Sequence, residues 1–111
     1  MALSKDQILS ARDFETKEVP VPEWGGDILV RSLNGAARDK IEAAFMAQKT
    51  EGLKAMVVAL TACDENGTLI FDQSDVEQLQ TKSAAVIERV FEAAWEISGL
   101  RAGSIEAAEG N

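Results

Sequence analysis

The sequence of 111 residues contains no histidine, no tyrosine and only one cysteine, Cys63. Histidine is the side chain best suited to moving protons at neutral pH and the commonest metal ligand. Cys63 follows an apolar helical segment with no histidine to activate it, so we interpret it as a small structural hydrophobe. A lone cysteine also excludes an internal disulfide, which fits a reducing cytosol. We therefore expect a protein that is not an enzyme and needs no cofactor.

Positive charge is also scarce, because 11 basic residues stand against 19 acidic ones and give a net charge of −8. Proteins that bind nucleic acid need lysine and arginine to displace phosphate counterions, and this surface repels nucleic acid and anionic lipid alike. No apolar run approaches the ~20 residues of a membrane span, and residues 1–6 lack the order of a signal peptide. We expect a cytoplasmic protein that binds neither nucleic acid nor membranes.

The N-terminal part of the chain predicts a short helix followed by a β-hairpin. Ser4 and Gln7 have the spacing of a capping box, which places a helix in an N-terminal arm of residues 1–15. Residues 19–24 alternate in polarity and contain two prolines, and a second β-prone run follows Gly25 and Gly26. This pattern favours a hairpin whose proline-bearing strand lies at the sheet edge.

The rest of the chain predicts helices around one apolar core. Asn34 is a candidate N-cap, and the helix that contains Met56 and Leu60 is apolar nearly all round, so it belongs at the centre. Residues 74–77 resemble a second capping box. Residues 81–83 either separate two helices or lie within one bent helix. The last helix carries a broad apolar face formed by Val86, Ile87, Val90, Phe91, Ala94 and Ile97.

The predicted fold class is α+β, with an N-terminal β-hairpin packed on a small bundle of about four α-helices. We assign the globular domain to residues 16–101. Residues 102–111 are small and acidic and predict a disordered tail. Their composition provides too little apolar surface to offset the entropy lost on ordering.

Two acidic clusters have simple structural explanations. The turn of residues 64–67 resembles part of a calcium-binding loop, but the first and last ligand positions would fall on Ala62 and Gln73, which carry no carboxylate. Asp72, Asp75 and Glu77 lie around a helix start, where capping accounts for them. We expect no metal site.

Glu88, Glu92 and Glu96 form an acidic row on one face of the last helix. Each like-charged pair costs about 0.2–0.5 kcal/mol, and the helix C-terminus disfavours negative charge. The row is either a solvated face or a contact surface for a basic partner. Phe91 and Trp95 are either half-buried core or a binding anchor, and Trp95 falls at the edge of the apolar face. These five residues are the candidate partner-binding site.

Several segments, taken in order, resemble the tail assembly chaperones of long-tailed bacteriophages. They are residues 3–9 (LSKDQIL), 19–26 (VPVPEWGG), 31–39 (RSLNGAARD), 64–67 (DENG), 75–79 (DVEQL) and 82–85 (KSAA). The resemblance covers most of the chain up to residue 100.

The resemblance implies a protein that binds the tape measure protein and keeps it soluble while the tail tube assembles around it. The tail tube protein is then a possible second partner, and self-association is possible. Such a chaperone acts in the host cytoplasm and is absent from the finished virion. The alternatives are a head–tail connector subunit and a small acidic regulatory protein that mimics nucleic acid.

Overall fold

The computed structural model describes residues 2–100. Its elements in chain order are α1 (Lys5–Ser10), β1 (Thr16–Val21), β2 (Gly26–Arg31), α2 (Gly35–Met46), α3 (Leu53–Thr61), β3 (Ala62–Cys63), α4 (Val76–Leu79) and α5 (Ala84–Ile97). Short 3₁₀ turns at Pro22–Trp24 and Gln73–Asp75 precede β2 and α4. The predicted α+β class, with a hairpin packed on helices, is confirmed.

The hairpin lies where the sequence predicts it, but its turn is longer than a Gly-Gly loop. Strands β1 and β2 pair antiparallel, with Val19 opposite Ile28, and the proline-bearing β1 lies at one edge of the sheet, whose order is β1-β2-β3. The connection runs through the Pro22–Trp24 turn and ends at Gly25, whose φ of 86° favours glycine. Gly26 already belongs to β2, so the turn holds Trp24 beside the end of the sheet.

Strand β3 was not predicted, because residues 62 and 63 continue the apolar pattern of α3. The chain leaves the helix at Ala62, and Cys63 pairs with Leu29 of β2. Leu69 then forms a single bridge to Cys63. The two-residue strand joins the sheet directly to the central helix.

Helix α3 lies at the centre of the core, as its sequence, apolar nearly all round, predicts. Val57 and Val58 are completely buried, and α3 packs against α2, α4, α5 and β2. The hydroxyl of Thr61, also fully buried, donates a hydrogen bond to the Val57 carbonyl at 2.7 Å. This bond satisfies the polar group that burial would otherwise leave unpaired.

The helix boundaries follow local capping, with one correction. Ser4 and Gln7 form the predicted capping box, and Asn34 caps α2 by accepting from the Ala37 amide at 2.9 Å. The second capping box uses Asp72 and Asp75 rather than Ser74 and Glu77. Both side chains accept through carboxylate oxygens, and a negative charge is stabilised at a helix N-terminus.

Helices α4 and α5 are separate, so the alternative of one bent helix is wrong. Helix α4 ends at Leu79, and α5 begins after Ser83. Helix α5 stops before Gly99, whose φ of 80° is the left-handed conformation expected of a glycine after a helix.

The structure describes the N-terminal arm from residue 2 onward. Side chains of α1 are all exposed, and Arg12 donates to the Asn66 carbonyl at 3.0 Å. The predicted tail of residues 102–111 lies outside the described residues. Within residues 2–100, no helix has the length and apolar content needed to cross a bilayer.

Candidate partner-binding surface

The acidic row lies on the exposed side of α5, and two of its members are neutralised by other elements. Glu88 forms an ion pair with Lys54 of α3, and Glu96 lies 3.8 Å from the Lys17 ammonium of β1. Among residues 2–100, Glu92 has no ion-pair partner. The self-repulsion inferred from the sequence is therefore partly relieved within the chain, which leaves Glu92 as the member open to an external cation.

Arg89 lies beside the row and ties α5 to the hairpin turn. Its guanidinium donates to both carboxylate oxygens of Glu23, at 2.8 and 2.7 Å. This paired contact with Arg89 lowers the pKa of Glu23 to about 2. Glu23 precedes Trp24 in the same turn, so the ion pair anchors the backbone segment that carries the indole.

Phe91 and Trp95 lie in the core rather than at its rim. Their rings stack with centroids 5.2 Å apart, and their exposed fractions are 6% and 5%. The expectation that Trp95 lies at the edge of the apolar face is wrong, because α5 is covered by α3 and by both strands of the hairpin. The buried face of α5 is therefore wider than the sequence of this helix alone indicates.

The exposed aromatic is Trp24, which lines a groove that the sequence did not reveal. This Trp24 groove is about 380 Å³ in volume, and Trp24 itself is 37% exposed. It is lined by Trp24, Phe71, Asp75, Gln78, Leu79 and Lys82. The sequence signals Trp24 only as the last residue before the predicted hairpin turn, and Phe71 and Leu79 come from segments distant in the chain.

Cys63 and Asp64, which the sequence offered as candidates for a reactive thiol and a metal ligand, have structural roles. Burial raises the pKa of the Cys63 thiol, which opposes formation of a reactive thiolate. The Asp64 carboxylate accepts from the amides of Asn66 and Thr68, which stabilises the turn. In the part of the chain that the structure describes, no group of three or more acidic or cysteine residues is arranged to hold a metal ion.

Comparison with known protein families identifies the chain. The family model described as phage tail assembly chaperone matches residues 4–110. The chain belongs to this family. The match spans the hairpin, all helices and the surfaces described above, so the chaperone assignment applies to the whole domain.

A solved structure shares the fold of this chaperone. The tail assembly chaperone of bacteriophage HK97 superposes with a TM-score of 0.66 at 22% sequence identity, over 83% of this chain and 94% of that one. At this identity the likeness concerns the fold alone. Comparison with curated proteins gives no significant match.

Proposed function

We propose that this chaperone binds the tape measure protein in the host cytoplasm and keeps it soluble while the tail tube assembles, then leaves before the virion is complete. It acts by binding and not by catalysis, and the tail tube protein is a possible second partner. The family match over residues 4–110 carries the proposal. A net charge of −8 supports solubility of the complex and favours a protein partner over nucleic acid.

The proposed contact surface is the acidic row on α5, with Phe91 and Trp95 beneath it. Glu92 is exposed and has no ion-pair partner among the described residues, so we propose that it meets basic side chains of the partner, with the exposed Glu96 beside Lys17 next to it. The buried aromatic pair acts as a rigid support, because it fixes the helix from which the carboxylates project. Glu88 is already paired with Lys54, so this end of the row contributes little net negative charge.

Charge reversal at Glu92 tests this surface. Because Glu92 has no ion-pair partner among the described residues, Glu92→Lys adds repulsion toward a basic partner while breaking no ion pair seen in the structure. The matched control is Asp39→Lys, which reverses an exposed helix carboxylate on α2. Affinity-tagged chaperone is co-expressed with the tape measure protein, and the co-purified amount of that protein is measured.

We expect Glu92→Lys to reduce the co-purified tape measure protein several-fold and Asp39→Lys to leave it unchanged, because a reversed charge within an interface creates a like-charge contact. If both variants recover as much as the parent, the acidic row is not the contact surface. If the parent itself recovers none, the proposed partner is wrong.

A further inference from the structure

A second cavity opens beside the Trp24 groove. This Ile87 cavity is about 500 Å³ in volume, and Leu53, Ala55 and Ile87 provide its apolar lining. The volumes of both cavities lie within the range of natural binding pockets, about 300–1,000 Å³. The two cavities share one lining residue, Lys82, which belongs to the loop between α4 and α5. The lysine therefore lies between two apolar recesses.

The other charged side chains that line the two cavities already have partners. Lys54 of the Ile87 cavity forms an ion pair with Glu88. Asp75 of the Trp24 groove accepts a hydrogen bond from the Asp72 amide at 2.9 Å, as part of the capping box before α4. Among residues 2–100, the exposed Lys82 forms no ion pair. Its ammonium is therefore the charge in these cavities that lacks a partner within the described chain.

The backbone that carries Lys82 is held in place by its neighbours. The Lys82 amide donates to the Leu79 carbonyl at 3.1 Å, and Leu79 is buried in the core. The Gln80 side chain lies so close to Gly52 that a Cβ atom there would be 2.6 Å from its amide nitrogen. Because Gly52 also has a φ of 73°, this close approach requires glycine. The two recesses and the base of the lysine are therefore preformed, which lowers the entropy cost of binding.

We infer that the two cavities and the lysine between them, the Lys82 cleft, bind a segment of the tape measure protein in which an acidic side chain has a large apolar side chain on each side. The carboxylate pairs with the Lys82 ammonium, and the apolar side chains enter the two recesses. Residues 79–82 separate the recesses by about one helical turn. Apolar positions about three or four residues before and after the acid therefore match a helical segment.

The Lys82 cleft leads into the acidic row. Glu88 lines the Ile87 cavity, and Glu92 follows it by about one turn on the exposed side of α5. A segment bound along this path meets a cation first and carboxylates next, so basic residues are expected on one side of its apolar–acidic–apolar pattern. The inference rests on the proposed function, because it specifies the chemistry of the tape measure segment that the chaperone recognises.

Charge reversal in the cleft provides the first test. Affinity-tagged chaperone is co-expressed with the full-length tape measure protein, and the co-purified amount of that protein is measured. We expect Lys82→Glu to reduce this amount by about tenfold or more, because the carboxylate of the segment then faces a like charge. The matched control is Lys40→Glu, which reverses an exposed lysine of α2 that lines neither cavity, and it leaves the amount unchanged. Circular dichroism verifies that both variants fold.

A photoreactive residue in place of Gln78, an exposed residue of the Trp24 groove, identifies the bound segment. We expect mass spectrometry of the complex to find cross-links to tape measure segments with the apolar–acidic–apolar pattern. Replacement of the acidic residue found there by lysine is expected to weaken binding to the parent chaperone and to restore binding to Lys82→Glu. This exchange of charges isolates the pairwise contact from effects of either single substitution on folding.

Failure of the cleft and failure of the proposed function give different results. If the parent recovers tape measure protein and Lys82→Glu recovers as much, the proposed function stands and the Lys82 cleft is not the binding site. Cross-linked segments without an acidic residue also overturn the inference. Cross-links made in the complex only to residues 102–111 of the same chain, or only to a second copy, overturn it as well. If the parent recovers no tape measure protein, the proposed function fails and the inference falls with it.

Discussion

The two tryptophans of the chain lie in different environments. Trp95 sits one residue beyond the apolar stripe of α5, yet it is stacked on Phe91 in the core. Trp24 ends the short turn that begins at Pro22, and it lines an open groove. Solvent exposure at the edge of a helix face depends on what packs beside the helix, and sequence periodicity does not contain that information.

Replacement of Trp95 therefore affects stability first. Trp95→Ala removes a buried ring and is expected to lower the free energy of unfolding by about 3–5 kcal/mol, the typical cost of a large core truncation. Urea denaturation followed by circular dichroism measures this loss. Trp24→Ala, at a 37% exposed site, is the control and loses much less. Equal losses for the two variants would show that Trp95 is not in the core.

The Glu23–Arg89 pair predicts a pH-dependent contribution to stability. The pKa of Glu23 falls from its ordinary value of 4.5 to about 2 in the folded state. A depressed carboxyl pKa means that the folded state is stabilised above pH 4.5 and that this contribution disappears as the pH falls toward 2. Because the pair is exposed, its effect is small.

The comparison of the parent with Glu23→Gln isolates this effect. We expect the parent to have the higher melting temperature at pH 7 and the difference to vanish near pH 2. A difference that is independent of pH would mean that Glu23 acts through packing or neutral hydrogen bonding instead of through its charge.

At the scale of the secondary structure elements, capping and periodicity predicted most of the architecture. The caps at Ser4 and Asn34, the edge strand with Pro20 and the nearly all-apolar helix α3 follow from local chemistry that is readable in the sequence. Strand β3 is different, because its two residues gain strand geometry only from pairing with β2. The Trp24 groove was missed for the same reason, since it depends on contacts between distant segments.

The central position of α3 gives a direct test of the core. Leu60 is 7% exposed on this helix, so Leu60→Asp buries an unpaired carboxylate. We expect the variant to lose more than about 4 kcal/mol of stability and to be unfolded at room temperature. Thermal melting followed by circular dichroism measures the change. A melting curve like that of the parent would place Leu60 outside the core.

At the scale of the whole molecule, the acidic charge and the exposed apolar sites fit a protein that works by association. The domain buries its broad helical faces internally, whereas the acidic row, the Trp24 groove and the apolar side chains of helix α1 lie at the surface of the described part of the chain. The sequence predicted the family and the acidic row. It assigned the aromatic part of the site to α5, where the structure buries both rings.

The central claim is that this chaperone keeps the tape measure protein soluble. The most direct measurement is the soluble fraction of the tape measure protein expressed with and without the chaperone, at matched expression levels. We predict a several-fold larger soluble fraction with the parent chaperone and little gain with the unfolded Leu60→Asp variant. An unchanged soluble fraction in the presence of abundant, folded parent chaperone would contradict the proposed function.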